Sequence, residues 1–251
     1  MKKHYCPACE SKLTSEFAID LKICEKCSHI FKDSTVPESY YKNYVNQAHK
    51  SKNKKAIANA QANGYYRWNF MKSFGKAGQF LEVGSGSCHL LSFMSEDFEC
   101  ESVELSEKFC KDMEGKFEVY NSTPSNAIGL KTYDAIGMFN VLERMNDPIK
   151  ELQTLYNHMQ DDGLMFLELP MLVFETLEFD PRQMYDGLRT QYFNQVSLNI
   201  LLKKCGLKII QQINFWASKT QTSTLLCVAK EALDVTKYTE IILNHIGEQE
   251  E

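Results

Sequence analysis

Short continuous apolar runs alternate with helical stretches from Gln79 onward, and this alternation limits the possible folds more than any other feature of the chain. The runs predicted as strands are residues 80–83, 100–105, 119–120, 135–139 and 164–169. Strands that are apolar throughout, with helices between them, are typical of a parallel sheet covered on both faces. Two later runs, at 208–215 and 224–228, have no convincing helix between them and predict an antiparallel hairpin. The sequence therefore predicts an α/β fold, with a Rossmann-like, seven-stranded, mostly parallel sheet and an antiparallel hairpin at its edge.

Two residues predict the limits of the last parallel strand. Apolar residues recur at helical spacing from Ile149 to Met159, and Asp161-Asp162-Gly163 follows them. We expect Gly163 to end that helix in a left-handed cap. We expect Pro170 to stop the strand that begins at Leu164.

Four of the nine cysteines form two Cys-x2-Cys pairs near the start of the chain. They are Cys6, Cys9, Cys24 and Cys27. Two such turns can direct four thiolates at one point, which is the tetrahedral set that structural zinc prefers. A bound metal would supply folding free energy that about 30 residues cannot obtain from a core. Four reduced buried cysteines or two disulfides are the alternatives. The other five cysteines are predicted to be small buried apolar residues.

The composition divides the chain into three segments. Residues 1–33 contain the paired cysteines and short β-rich pieces, and are predicted to form a small zinc ribbon. Residues 34–75 are polar and aromatic, and are predicted to be a helical connector or lid. Residues 76–251 contain the predicted sheet. Lysines are concentrated between positions 49 and 55, where a solvated helix face is favoured over a phosphate-binding patch.

The turn after the first predicted strand has the composition of a ligand-binding loop. Gly84 and Gly86 allow a ligand to approach the backbone where a Cβ would clash. A pyrophosphate-binding turn needs a third glycine at position 89, which is His89. Glu82 suits a ligand ammonium group, and Glu104, at the end of the second strand, suits the two hydroxyls of a ribose. Together they predict S-adenosylmethionine as cofactor; the alternative is a tight turn with two surface carboxylates.

Several segments carry a resemblance to a known family. They are Phe80-Leu81-Glu82-Val83-Gly84-Ser85-Gly86-Ser87-Cys88, Glu104-Leu105-Ser106, residues 133–144 and residues 161–170. These segments resemble the motifs of class I S-adenosylmethionine-dependent methyltransferases, and the resemblance covers about residues 70–230. It implies that Ser85, Leu105 and Asn140 also contact the cofactor. With the ribbon in front, the chain is similar to the subgroup that methylates sugar nucleotides and other surface-polysaccharide or antibiotic-sugar precursors.

Two positions depart from the family pattern. Cys88 stands where a third glycine is usual, and Arg144 stands where many members have a histidine. Arginine cannot act as a base at neutral pH, but it can hold a phosphate or carboxylate with two hydrogen bonds. We therefore predict Glu143 and Arg144 as catalytic residues and a small anionic metabolite as acceptor. Further candidate bases or acceptor contacts are His89, Tyr41 and Tyr44.

Three tyrosines, at positions 40, 41 and 44, follow the ribbon directly. We expect them to fold over the cofactor as part of a lid that excludes water, with Tyr41 in contact with the cofactor. Packing in the core is the alternative.

The charge balance restricts the partners. Lys and Arg number 28 and Asp and Glu number 33, a net charge of −5, so no nucleic-acid partner is expected. Two alternatives stay open: an RNA-modifying methyltransferase whose ribbon holds RNA, and a non-catalytic scaffold on the methyltransferase fold. No run of about 18 apolar residues occurs, so no membrane span is expected. No secretory signal is apparent, and a cytoplasmic location is expected.

Overall fold

The computed structural model describes residues 4–18, 20–48, 54–172, 188–216 and 221–238. The strands are β1 (Thr14–Ala18), β2 (Leu21–Cys24), β3 (Ile30–Lys32), β4 (Gly78–Val83), β5 (Phe98–Val103), β6 (Glu118–Tyr120), β7 (Tyr133–Phe139), β8 (Met159–Leu172), β9 (Gln191–Tyr192), β10 (Leu207–Trp216) and β11 (Gln221–Lys230). The helices are α1 (Glu38–Ala48), α2 (Lys54–Lys72), α3 (His89–Met94), α4 (Glu107–Met113), α5 (Pro148–Asn157) and α6 (Gln195–Lys204). Short 3-10 turns lie at Pro124–Asn126, Leu142–Arg144 and Thr236–Tyr238.

The main sheet has seven strands in the order β10-β11-β8-β7-β4-β5-β6. Strands β8, β7, β4, β5 and β6 are parallel, and the hairpin β10–β11 pairs antiparallel to β8. Leu81 and Ile136 pack with residues of α5 and α6 on one face, and Phe80 and Ala135 pack with residues of α2, α3 and α4 on the other. Both faces are therefore covered, which is why these strands are apolar throughout. The predicted fold class is confirmed.

The strand order brings three carboxyl ends together. Val83 is in register with Val103 of β5 on one side and with Met138 of β7 on the other. The residues that follow these strands therefore emerge side by side at one edge of the sheet, which is where open α/β sheets bind ligands.

The predicted limits of the last parallel strand are wrong. Helix α5 ends at Asn157, and β8 spans Met159 to Leu172, with irregular pairing to β7 between Met159 and Leu164. Gly163 lies inside β8 and is not among the residues with positive φ. Pro170 is tolerated because of where β7 ends: the Glu168 carbonyl accepts the Asn140 N–H, and the β7–β8 pairing goes no further. Successive residues of a strand direct their backbone N–H and C=O groups towards opposite neighbouring strands. The nitrogen of Pro170 points to the β7 side, beyond the end of β7, so no ladder hydrogen bond to β7 is lost.

The paired cysteines lie in a small second sheet with the order β1-β2-β3-β9. Its fourth strand comes from much later in the chain, because Ile30 and Phe31 pair with Tyr192 and Gln191. Phe31 also lies in the same apolar cluster as residues of α5 and α6. The division at residues 33 and 75 stays a prediction, and the ribbon sheet takes a strand from the segment predicted as 76–251.

The connector contains α1 and α2, and α2 packs directly on the start of α3, which follows the glycine-rich turn. A Cβ at Gly64 would lie 3.1 Å from the backbone carbon of His89, so the absence of a side chain permits this close contact. Of the lysines between positions 49 and 55, Lys50 and Lys52 lie outside the described residues. Among the helices that the structure describes, none is long and apolar enough to cross a membrane.

The five cysteines outside the pairs differ in burial. Cys205 and Cys227 are buried, as predicted. Cys88, Cys100 and Cys110 are half-buried because they lie in the loop after β4, on β5 and on the short helix α4, near the surface of the sheet.

Candidate active site

A cavity of about 330 Å³ opens beside the carboxyl ends of β4, β5 and β7. Of the predicted site residues, the ones on its wall are Tyr41, Gly84, Glu104, Leu105 and Arg144. Predicted residues that are not on its wall are Glu82, Ser85, Gly86, Asn140 and Glu143. The cavity therefore unites residues from the connector, from the turn after β4, from the end of β5 and from the turn after β7.

The backbone of the turn after β4 is left-handed at three positions. Gly84 has φ +72°, Gly86 has φ +54° and Cys88 has φ 51°. A Cβ on Gly84 would lie 2.5 Å from a methyl carbon of Val141, so only glycine fits there. Cys88 keeps the conformation that glycine would adopt, at a cost of about 1–2 kcal/mol for an L-residue. The loop backbone at Cys88 therefore has the left-handed conformation that a glycine would have there, although the residue departs from the family pattern.

Glu104 ties this turn to the end of β5. Its Oε2 accepts the Gly86 N–H at 3.0 Å and its Oε1 accepts the Ser106 N–H at 2.7 Å. Burial raises the pKa of Glu104 and these backbone hydrogen bonds lower it, with a net upward shift. A carboxylate can accept about four hydrogen bonds, so Glu104 keeps capacity for a ligand donor beside its backbone partners Gly86, Leu105 and Ser106. A pair of vicinal hydroxyls in the cavity could therefore bind here.

Glu82 is buried beneath the turn with one oxygen unused. Among the described residues its Oε2 has no hydrogen-bond partner. Burial raises the pKa of Glu82 to about 8, opposed by the nearby charge of Arg67 and assisted by that of Glu104. A ligand ammonium group would supply both the missing hydrogen bond and a compensating charge. Ser85, by contrast, directs its hydroxyl away from the cavity, to Ser102 at 2.7 Å.

A charged cluster next to Glu82 was not predicted from the sequence. Arg67 Nε donates to Glu168 Oε2 at 2.7 Å, and Asn140 Nδ2 donates to Glu168 Oε1 at 3.1 Å. Asn140 itself has φ 59°, a left-handed conformation that asparagine tolerates better than most residues. Glu168 lies on β8 opposite the last residue of β7. Its place at the edge of the sheet where the ligand-binding loops emerge could have identified it from the sequence. Arg67 lies in the middle of α2, where no local pattern marks it.

Arg144 faces the cavity and Glu143 lies behind it. Arg144 Nε lies 3.6 Å from a carboxylate oxygen of Glu143 and 3.3 Å from the Asn140 carbonyl. The Glu143 side chain is only 1% exposed. Of the other candidate bases, His89 is half-buried at the start of α3 and is not on the cavity wall, and the Tyr44 side chain lies outside the described residues.

The far wall of the cavity comes from a turn that the sequence analysis also missed. Residues 122–126 lie between β6 and β7, and both the backbone N–H and the hydroxyl of Ser125 donate to Glu151 of α5, at 2.8 and 2.7 Å. Glu151 therefore fixes this turn against α5. The segment after the third parallel strand emerges at the same edge of the sheet as Glu104. That position could have identified the turn at residues 122–126 from the sequence.

The four paired cysteines form a compact set of sulfur atoms. All four Sγ atoms lie within 4.8 Å of one another, with Cys6 and Cys27 at 3.7 Å and Cys9 and Cys24 at 3.5 Å. A tetrahedral zinc with Zn–S bonds of about 2.3 Å separates its sulfurs by about 3.8 Å. All nine cysteines are free, so the two-disulfide alternative is not observed. The thiols shift in opposite directions: a hydrogen bond from Cys27 lowers the pKa of Cys6 to about 6, the same bond raises the pKa of Cys27, and burial raises the pKa of Cys9 to about 11.

Comparisons with known proteins support the fold and its cofactor. The chain matches the family described as "Methyltransferase domain" over residues 56–212. No curated protein sequence matches it. Similar solved structures include magnesium protoporphyrin IX methyltransferase from Synechocystis PCC 6803 with bound S-adenosylhomocysteine (TM-score 0.57, 14% identity, 77% of this chain and 99% of that one).

Two further structures have the same fold. One is an S-adenosylmethionine-dependent methyltransferase from Clostridium acetobutylicum ATCC 824 (TM-score 0.52, 13% identity, 76% of this chain and 98% of that one). The other is the O-methyltransferase from a trans-AT PKS multienzyme of Brevibacillus brevis, in complex with S-adenosyl-L-homocysteine (TM-score 0.53, 12% identity, 74% and 78%). Because the family match spans more than half of the sequence, this chain belongs to the methyltransferase-domain family and is an S-adenosylmethionine-dependent methyltransferase.

Proposed function

We propose that this chain methylates a small anionic metabolite, a nucleotide-linked or surface-polysaccharide precursor. The observation that carries the proposal is the Arg144 guanidinium on the wall of the cavity that Gly84 and Glu104 also line. Lys150 lies on the same wall, while Asp147 and Glu151 already accept backbone N–H groups of Lys150 and Ser125. An acidic acceptor would bind beside these two cations.

The cofactor would be held by residues at the ends of β4 and β5. Glu104 would accept the ribose hydroxyls, Leu105 would contact the adenine, and the turn at Gly84 and Gly86 would allow close approach of the backbone. Tyr41 of α1 also lines the cavity and would cover the cofactor as part of the lid. This arrangement matches the donors and acceptors that an adenosine presents.

The amino-acid end of the cofactor would meet Glu82 and Arg67. Glu82 offers an unused carboxylate oxygen for the ammonium group, and Arg67 lies close enough to lower the pKa of Glu82. A carboxylate of the ligand would find the guanidinium beside it, and Asn140 shares the Glu168 carboxylate with Arg67. A zwitterionic ligand therefore fits this end better than a neutral one.

When bound, S-adenosylmethionine supplies a methyl group on a sulfonium that is already activated for displacement. Arg144 would bind the acceptor anion and fix its orientation, which is the largest contribution a protein makes to such a displacement. Glu143 would act through Arg144, since its carboxylate is buried behind the guanidinium. Tyr41 and the lid would exclude water and strengthen these polar contacts.

We also propose that Cys6, Cys9, Cys24 and Cys27 hold one structural zinc ion. The compact set of four sulfur atoms and the lack of a large core within the ribbon support it. Four thiolates leave no open coordination position, so the metal would stabilise the ribbon and take no part in methyl transfer.

The proposed acceptor class can be tested directly. Purified protein is incubated with methyl-labelled S-adenosylmethionine and either the small-molecule fraction of a cell extract or total RNA. We expect label in small molecules that an anion exchanger retains. Arg144→Lys should lower this transfer but leave the cofactor affinity unchanged, because lysine lacks the planar pair of donors.

Label in RNA instead would favour the RNA-modifying alternative. Cofactor binding without transfer to either fraction would favour the scaffold. Equal transfer by Arg144→Lys and the parent would rule out the arginine contact.

Glu104→Ala should weaken S-adenosylmethionine binding by about 1.5–3 kcal/mol, or roughly ten- to a hundredfold, because hydrogen bonds to a charged group are lost. Isothermal titration calorimetry measures the affinity. Glu107→Ala is the matched control, since Glu107 is a nearby exposed carboxylate in the first turn of α4. An unchanged affinity in Glu104→Ala would place the ribose elsewhere.

Cofactor binding should release a proton from Glu82 near neutral pH. The pKa of Glu82 is about 8 in the free protein, so the carboxyl is mostly protonated at about pH 7. A bound ammonium lowers this pKa. The parent protein should therefore bind S-adenosylmethionine increasingly better than the isosteric Glu82→Gln variant as the pH rises from about 6 towards 8. Calorimetry in buffers of different ionisation enthalpy counts the released protons. Equal proton release by the parent and Glu82→Gln would contradict the assignment.

Metal analysis should give about one zinc per chain. Cys24→Ser should lower the zinc content and the thermal midpoint, because three thiolates bind the ion less tightly. Cys110→Ser, which changes a cysteine outside the set, should keep both values. Full zinc occupancy in Cys24→Ser would exclude this ligand set.

A further inference from the structure

The segment that carries Arg144 is held by groups from outside its own strand and turn. The Glu143 carbonyl accepts the Thr190 N–H at 2.9 Å. The Met145 carbonyl accepts two hydrogen bonds at 2.8 Å, from the Thr190 hydroxyl and from Gln191 Nε2. Both residues flanking Arg144 are therefore bonded to residues 190 and 191 at the edge of the ribbon sheet.

Gln191 is in turn held by a histidine of the ribbon. His29 Nε2 lies 2.9 Å from Gln191 Oε1, and both side chains are fully buried. Gln191 must donate to the Met145 carbonyl, which is only an acceptor, so its Oε1 faces His29. His29 Nε2 is therefore the donor, and the two hydrogen bonds run in one direction from the ribbon to the Arg144 segment.

The orientation of the histidine ring is itself fixed on several sides. His29 Nδ1 lies 3.3 Å from the Ser197 hydroxyl, and the ring packs on Phe193 with 4.7 Å between centroids. The His29 carbonyl accepts the N–H of Cys24, one of the paired cysteines. The relay thus begins at the cysteine set and has little freedom to rotate.

A second contact holds the other end of the same segment. The Asn146 side chain makes two hydrogen bonds with the backbone of Val36, donating to its carbonyl at 2.8 Å and accepting its N–H at 2.9 Å. Val36 lies four residues after β3, and both residues line the cavity. The segment from 143 to 146 is therefore fastened on one side through Gln191 and on the other through the start of the connector.

We propose that His29 and Gln191 are positioning residues for methyl transfer, which hold the Arg144 guanidinium at the acceptor through the Met145 carbonyl. This rests on the proposed function for the role of Arg144 itself. The ribbon then has a task beyond its own stability: it is the rigid support of the acceptor side of the cavity. Neither residue touches cofactor or acceptor, so the effect would appear in transfer and not in cofactor binding.

Two variants break the relay: His29→Phe, which keeps a stacked ring but cannot donate, and Gln191→Leu, which removes the amide. A third variant, His29→Gln, keeps a donor, because the glutamine Nε2 can still donate to Gln191. We expect the first two variants to keep zinc content and S-adenosylmethionine affinity, and to show faster amide hydrogen exchange at residues 143–146. Transfer should fall about ten- to a hundredfold, the cost of misplacing a binding group by about 1 Å. His29→Gln should recover most of the loss. Gln195→Ala, an exposed change on neighbouring α6, is the control and should match the parent.

A double-mutant cycle with Arg144→Lys completes the test, using whichever fraction the parent protein labels. If the relay acts through Arg144, the Arg144→Lys loss should largely disappear in the Gln191→Leu background. Unchanged exchange at residues 143–146, or additive losses in the cycle, would overturn the proposal. Label appearing in RNA would overturn the proposal of an anionic metabolite but not the proposed relay, because the double-mutant cycle can then be measured with RNA as the acceptor.

Discussion

The Glu104 carboxylate is the interaction on which the cavity depends. It accepts one N–H from the turn after β4 and one from the start of α4, so a single buried group sets the distance between the two loops. Hydrogen bonds to an ionised acceptor are roughly twice as strong as neutral ones, and burial excludes the water that would compete for them. The same side chain still has lone pairs for a ligand. One residue therefore holds the two loops and carries the proposed ribose contact.

The sequence predicted the large sheet and the β-rich ribbon but missed the fourth strand of the small sheet, for one physical reason. Strands β4, β7 and β8 are buried on both faces, and continuous burial leaves a continuous apolar run in the sequence. Strand β9 has two residues and its partner β3 lies about 160 positions earlier, so no periodicity marks it. The misjudged ends of β8 have a similar origin. Whether Pro170 breaks a strand depends on where the neighbouring strand ends, and a single sequence does not contain that information.

The same distinction separates the predicted from the missed parts of the site. Glu82, Gly84 and Gly86 belong to one strand and one turn, so their spacing alone indicates a ligand-binding loop. The pair Arg67–Glu168 joins residues 101 positions apart, and the pair His29–Gln191 joins residues 162 apart. Neither pair has a local signature, because each is created by packing of a helix or ribbon on the finished sheet. Local motifs thus predict the turn after β4 and the carboxylate after β5, whereas tertiary packing creates the contacts of Arg67 and of the Arg144 segment.

That division bears on how one fold can serve different acceptors. The family match begins at residue 56, whereas Tyr41, Val36 and His29 all precede it. The structures with the same fold include a porphyrin methyltransferase and a polyketide-synthase O-methyltransferase, so the shared sheet is compatible with unlike acceptors. In this chain the connector contributes Val36 and Tyr41 to the cavity wall, and hydrogen bonds from the connector and from the ribbon sheet hold the segment of Arg144. On the proposed function, a change in this support would alter the acceptor side and leave the cofactor loops in place, since the Glu104 carboxylate bonds Gly86 and Ser106 and not residues 143–146.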